Sequence, residues 1–171
     1  VKGSPYMLRF SVGFPRPKDH ILGWDVAGLV KEVGREVKEF EVGDEVYGSC
    51  ESAFAEYVKM KADTISKKPG NLTFEQTAAV PTAGLTALQR LRDGGKIKKG
   101  QKVLITGASG GVGSFGIQIA RYYGAEVTGV CSTGKVDMVK AIGADHVIDH
   151  GKMDLRDCGR KFDIIFDNTG G

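Results

Sequence analysis

The segment that most constrains this chain is Lys102-Val103-Leu104-Ile105-Thr106, joined directly to Gly107-Ala108-Ser109-Gly110-Gly111-Val112-Gly113. A short apolar strand runs into a glycine-rich loop. The loop opens a helix with Val112, Phe115, Ile119 and Tyr123 on one face. The dinucleotide fingerprint G-x-G-x-x-G places its glycines at 108, 110 and 113. Ala108 stands at the first of these, and Gly110 and Gly113 hold the other two. The strand must turn tightly into the helix. At Gly110 the backbone must approach a pyrophosphate with no side chain in the way, and at Gly113 the helix must pack close on its strand. The helix start offers unpaired N–H groups and partial positive charge to phosphates. Taken alone such a loop could be a mere tight turn. A P-loop is excluded, because no Lys-Ser or Lys-Thr comes after the last glycine.

The segments after the loop raise it above a turn. Gly124 stands where a helix C-cap belongs, and Glu126 to Val130 reads as a second strand. Val136, Val139 and Ile142 mark a second helix with Gly143 after it. His146-Val147-Ile148 is a third strand and Ile164-Ile165-Phe166 a fourth. Strand, helix, strand, helix, strand implies right-handed crossovers and a parallel sheet. Before the loop, Thr73 and Gln76 form a capping box, and Pro81 ends or redirects the helix that they start. A further helix carries Leu85, Leu88 and Leu91 on one face and stops at Gly94-Gly95.

Residues from about Gly23 to Pro69 read differently. Asp25 to Val33, Glu45 to Tyr47 and Ala53 to Met60 are predicted strands, punctuated by Gly34, Gly43-Asp44 and Gly48. Short strands so spaced suggest a small barrel or sandwich. The expected division is residues 1–72 and 73–171.

The end of the second strand of the parallel sheet reports on the cofactor. An acid there would bond the 2′-hydroxyl of NAD. The position falls at Cys131 or Ser132, and Ser132, Thr133 and Lys135 stand in place of an acid. Donors and positive charge suit a 2′-phosphate, so the reading favours NADP over NAD, unless Lys135 only solvates a helix start.

Composition removes several classes. The formal net charge of +3 is slight and its Lys and Arg are scattered, which argues against nucleic acid. No apolar run approaches the ~20 residues that span a bilayer, and Val1 to Pro5 reads as neither a signal nor a transit peptide. Three dispersed cysteines, Cys50, Cys131 and Cys158, make no disulfide framework and fit a reducing, cytoplasmic setting.

With these motifs in order, the chain closely resembles the medium-chain dehydrogenase/reductase superfamily, and within it the zinc-independent quinone oxidoreductase (zeta-crystallin-like) branch. The resemblance is carried by six stretches: residues 21–28, 42–48, 54–58, 81–87, 107–113 and 163–171. It implies an α/β chain with a partial GroES-like β-barrel before a partial Rossmann parallel sheet with helices. It also implies that Thr86 lies near a nicotinamide. Gly110, Gly111 and Val112 would cradle the pyrophosphate, with Ala108, Ser109 and Gly113 of the same loop also cofactor-binding and Ser132 and Lys135 near the adenosine ribose phosphate. Many NADP-using relatives have Tyr where this chain has His150, so His150 either takes over that contact or is a surface histidine.

No metal is expected. Zinc-using members have Gly-His-Glu where this chain has Gly23-Trp24-Asp25, and Trp24 cannot be a ligand. A catalytic zinc needs three protein ligands, whereas His20, His146 and His150 lie far apart without ligand spacing, as do the cysteines. Without a Lewis acid, hydride addition to an already electrophilic enone or quinone carbon is the natural chemistry. The expected function is therefore an NADP(H)-dependent quinone oxidoreductase or alkenal reductase acting on a small molecule. Trp24 and Tyr47 are candidates for lining the substrate cleft, or plain packing residues. The alternatives are a zinc-type alcohol dehydrogenase relative and a non-catalytic nucleotide-binding or structural piece. The resemblance covers only the middle of the family's chain. A fragment is thus expected, itself either active or only able to bind cofactor. The edge through which the family usually forms dimers is expected to be missing.

Overall fold

The computed structural model describes residues 21–169. The chain forms two compact units that divide between Thr82 and Ala83, ten residues beyond the division expected from sequence.

The first unit is a three-stranded antiparallel sheet in the order β1 (Asp25–Leu29), β2 (Glu45–Ser49), β3 (Ile65–Lys67). The register sets Ala27 opposite Tyr47 and Tyr47 opposite Ser66. Strand β1 ends at Leu29, short of the expected Val33. The strand expected over Ala53–Met60 does not form; β3 takes its place. The physical reason is visible in that stretch. Phe54 donates one backbone bond to Leu22 O (2.8 Å) and Ala53 one to Gly23 O (3.2 Å), while Phe54 and Tyr57 stay mostly exposed. No ladder continues from there, and apolar side chains alone do not make a strand.

Helix α1 (Phe74–Ala78) packs against β1 and β2. Its start is the capping box read from the sequence. Gln76 N–H donates to Thr73 Oγ1 (3.2 Å), and Thr73 N–H donates to Gln76 Oε1 (2.9 Å). Pro81 then opens helix α2 (Pro81–Leu88), where its missing N–H costs nothing. Helix α2 ends in a wider π-type turn over Gln89–Gly94. Ala87 and Leu91 are buried there, whereas Leu85 faces outward at 52% exposure.

The second unit is a parallel sheet with the order β6-β5-β4-β7, built from β4 (Lys102–Ile105), β5 (Glu126–Cys131), β6 (His146–Asp149) and β7 (Ile164–Phe166). Helix α3 (Gly111–Tyr122) connects β4 to β5, and α4 (Val136–Ala141) lies between β5 and β6. The strand period of two sorts the side chains. Val103, Ile105, Val127 and Cys131 face one core with Ile117, Ala120 and Val139; Leu104, Val130 and Ile148 face the other, covered by Leu155, Cys158 and Phe162. Full burial of a side chain such as Leu104 contributes about 1.5–3 kcal/mol. On α3 the deepest residues are Gly113, Gly116, Ile117 and Ala120, flanked by the expected Val112, Phe115, Ile119 and Tyr123. The chain winds from β4 outward to β6 and then returns to pair β7 on the other side of β4. That reversal is a topological switch point, where α/β sheets hold ligands beyond the carboxyl ends of their strands.

Candidate cofactor-binding site

The phosphate loop is set by where β4 ends. Gly107 turns with φ +57°, the left-handed region where glycine is at home. Thus the turn falls one residue before the fingerprint's first glycine, and Ala108 can stand there without strain. Ala108 is fully buried, donates its N–H to Val130 O (3.0 Å), and points its methyl toward Gly129, where a Cβ would come within 3.1 Å of it. At Gly113 a Cβ would lie 2.2 Å from Gly107 O and 2.8 Å from Ala108 Cα. No side chain fits between helix and turn at that point. Gly110 caps α3 with no side chain, and no acidic residue stands in the helix's first turn. The first N–H groups of α3 therefore lack both an intrahelical acceptor and a competing carboxylate.

A cavity of about 370 Å³ opens over these strand ends. It is lined by Thr106, Gly107 and Ser109 after β4, by Val130, Cys131 and Ser132 at β5, by His150 after β6 and by Thr169 after β7. All four carboxyl ends converge, as the switch point demands. Of the residues singled out from sequence, Ser109, Ser132 and His150 meet here. Ala108 sits beneath the loop in the core, and Gly110, Gly111, Val112 and Gly113 form the end and first turn of the loop and helix beside it. Lys135 closes the short 3-10 turn Thr133–Lys135 that begins at Ser132, outside the cavity lining. A Cβ on Gly111 would lie 3.6 Å from Ala83 Cβ, which sets the helix bearing Thr86 next to the phosphate loop. Thr86 itself is half-buried.

Two residues at these strand ends carry little signal in the sequence. Thr106 Oγ1 bonds the Asp167 carboxylate, accepts Asn168 N–H (3.0 Å), and so ties the end of β4 to the loop after β7. Asp149 reaches the end of β5 only through the pairing of Cys131 with Asp149. A polar residue at a strand end was the only available signal for either. Burial, with Asp149 close by, pushes the Cys131 thiol above its ordinary range, so it stays protonated beneath the cavity.

Trp24 and Tyr47 belong to the other unit. Trp24 precedes β1 at 67% exposure, and Tyr47 is half-buried in mid-β2.

A family model for the alcohol dehydrogenase GroES-like domain matches residues 4–90, and one for zinc-binding dehydrogenase matches residues 111–171. The chain belongs to the medium-chain dehydrogenase/reductase superfamily. It is 39% identical over 166 residues to a 2-methylene-furan-3-one reductase of Solanum lycopersicum, an alignment covering 90% of this chain and 42% of that protein. The structure of the quinone oxidoreductase from Coxiella burnetii matches with a TM-score of 0.86 at 36% identity, covering 97% of this chain and 56% of that one. The Escherichia coli quinone oxidoreductase complexed with NADPH matches with a TM-score of 0.75 at 33% identity, covering 83% and 45%. The chain thus spans about two-fifths of the length of the tomato relative.

A family described as zinc-binding raises the question of a metal. Asp25, in the Gly-Trp-Asp stretch, uses one carboxylate oxygen to accept both Thr82 N–H (2.8 Å) and Thr82 Oγ1–H (2.7 Å). Its neighbour Trp24 has no donor atom for a metal. Cys50 is held protonated by burial and by the Asp25 charge. Among the described residues no group of three or more His, Cys, Asp or Glu is placed to hold an ion. This donor set does not fit zinc; His20 lies outside the described residues.

Proposed function

We propose that this chain is the cofactor-binding part of a reductase that transfers hydride from NADPH to a quinone or to an activated alkene or carbonyl, with no metal involved. The observation that carries the reading is the cavity at the ends of β4, β5, β6 and β7. Ser132 and His150 line it, Lys135 follows on the turn that Ser132 begins, and the start of α3 carries neither a side-chain cap nor an acid in its first turn. The kinship with a 2-methylene-furan-3-one reductase and with a quinone oxidoreductase complexed with NADPH supports the same reading.

Gly110, Gly111, Val112 and Gly113 would present backbone N–H groups to the pyrophosphate, with Ala108 and Ser109 setting the loop. Ser132 and Lys135 would hold the 2′-phosphate, with His150 beside them. Thr86, on the helix that adjoins the loop, would meet the nicotinamide. When bound, the cofactor supplies a hydride from C4 of its nicotinamide. The protein's share is position and water exclusion. Trp24 and Tyr47 offer apolar surface for a small-molecule substrate. Neither nucleic acid nor membrane is a partner in this reading. Among the described residues no helix is long and apolar enough to cross a membrane, and the free thiols suit a reducing, cytoplasmic setting.

The test is a fluorescence titration of the chain with NADPH and NADH side by side, then turnover of NADPH with a panel of enones and quinones before and after chelation. Tight NADPH binding with chelator-resistant turnover is expected. Equal or tighter NADH binding overturns the cofactor choice. Binding without turnover on any acceptor reduces this chain to a nucleotide-binding module.

A further inference from the structure

The two loops that this reading assigns to the 2′-phosphate are joined by one carboxylate. Asp149, the last residue of β6, pairs across the sheet with Cys131, the last residue of β5. Its Oδ1 accepts Thr133 Oγ1–H at 3.0 Å and Gly151 N–H at 2.9 Å. Thr133 lies between Ser132 and Lys135, and Gly151 comes directly after His150. A single oxygen therefore clasps the segment bearing Ser132 and Lys135 to the segment bearing His150. A backbone bond from His150 N–H to Cys131 O (3.1 Å) runs alongside.

The clasp is built, not incidental. The Asp149 side chain is only 12% exposed although it sits at a strand end. A Cβ at position 151 would come within 3.2 Å of both Asp149 Oδ1 and Thr133 Oγ1, so Gly151 lets the backbone close directly over the hydrogen bond. The other oxygen, Oδ2, is buried without a hydrogen bond and has only the Lys152 ammonium at 3.6 Å. A buried carboxylate oxygen without a hydrogen bond is costly. In a chain that could have placed a neutral residue there, the cost points to a role for the other oxygen. Burial opposes its charge, yet the bonds from Thr133 and Gly151 and the Lys152 ammonium hold the carboxyl below its usual range, so the clasp stays ionised at neutral pH.

We propose that Asp149 is a positioning residue for cofactor selectivity, fixing Ser132, Lys135 and His150 in the spacing that a 2′-phosphate needs. The inference rests on the NADPH reading above. Asp149 need not touch the cofactor. It acts by pre-ordering two loops, so that the phosphate meets donors already in place and little ordering is lost on binding. A cofactor without the 2′-phosphate does not use this arrangement and is indifferent to it.

Three variants and two ligands test this. NADPH and NADH are titrated against the chain and against Asp149→Ala, Asp149→Asn and Thr133→Val, and amide exchange is followed at Gly151. Asp149→Ala should weaken NADPH about tenfold, equivalent to ~1.4 kcal/mol, leave NADH within about twofold, and free the Gly151 amide to exchange. Asp149→Asn keeps an acceptor oxygen and should restore NADPH binding and Gly151 protection. Thr133→Val, at an exposed position that the fold tolerates, should reproduce the loss of selectivity without disturbing β6. Unchanged NADPH preference in both Asp149→Ala and Thr133→Val overturns the clasp while leaving the cofactor reading intact. Equal loss of NADPH and NADH shows a structural role and also overturns it. An unmodified chain that does not prefer NADPH overturns both.

Discussion

Gly113 and Gly107 stand so close that a Cβ on the first would meet the carbonyl oxygen of the second at 2.2 Å. This contact fixes how closely α3 can rest on the turn leaving β4, and thereby where its open N-terminus points. The obstacle is backbone, which has no rotamer to change. Gly113→Ala should therefore cost stability in the upper part of the ~1–3 kcal/mol range of overpacked positions and lower the melting temperature by several degrees. NADPH binding should fall by more than the stability loss predicts, because the helix start itself is displaced. Thermal unfolding with a parallel NADPH titration checks both. Unaltered affinity at lowered stability would detach the loop from the cofactor.

Lys135 is exposed at the end of its 3-10 turn, so its charge is available to a phosphate. Lys135→Ala should weaken NADPH by about tenfold, the worth of one charge-assisted contact, and leave NADH unmoved. Because the contact is solvent-exposed, the difference should shrink as salt rises from low ionic strength to about 1 M. Affinities of both cofactors at two salt concentrations decide it. An equal effect on NADH would return Lys135 to the role of solvating a helix start.

The capping box offers a stability test away from the proposed site. Thr73 Oγ1 accepts the Gln76 N–H, and the Gln76 side chain returns the bond. Thr73→Ala removes the first acceptor and should cost about 1 kcal/mol, with cofactor affinity unchanged. Denaturant midpoints and a titration measure the two separately.

Thr73 and Gln76 also show what the sequence makes legible. Their pairing is local, three residues apart, so residue type and spacing suffice. The same holds for the β4 strand and its glycine loop, where a tight turn can be met by few residue types. Ala53 to Met60 fails for the opposite reason. Its apolar residues have the look of a strand, but a strand is made by a partner's ladder, and β2 pairs with Ile65–Lys67 instead. Asp149 was equally hidden. Nothing in His146-Val147-Ile148-Asp149 tells that its end lies beside Cys131, which is 18 positions earlier. Only the β5–β6 register brings Thr133 to its carboxylate. At the phosphate loop Gly110 and Gly113 stand where the fingerprint puts them, but the tight turn falls one residue before its first position. The left-handed turn belongs to Gly107, which frees position 108 for a buried methyl.

Asp44 carries a testable pH dependence in the first unit. Its carboxylate accepts the Glu41 N–H at 3.0 Å and the Lys67 ammonium at 3.1 Å, joining the turn before β2 to β3. The backbone bond from Glu41, and after it the Lys67 side chain, hold the Asp44 carboxyl below its ordinary value. A carboxyl whose folded value lies below its unfolded value of about 3.9 stabilises the fold fully when the pH is above both. That contribution is lost as the pH falls through the unfolded and then the folded value, starting near pH 5 by analogy with a paired Asp. Asp44→Asn cannot ionise and should lack the pH-dependent part. The stability gap between the parent chain and Asp44→Asn, taken from urea midpoints, should therefore be constant from pH 7 to about 5 and close steadily toward pH 3. A gap that stays level across that range would mean that the carboxylate contributes through the shape of the turn and not through its charge.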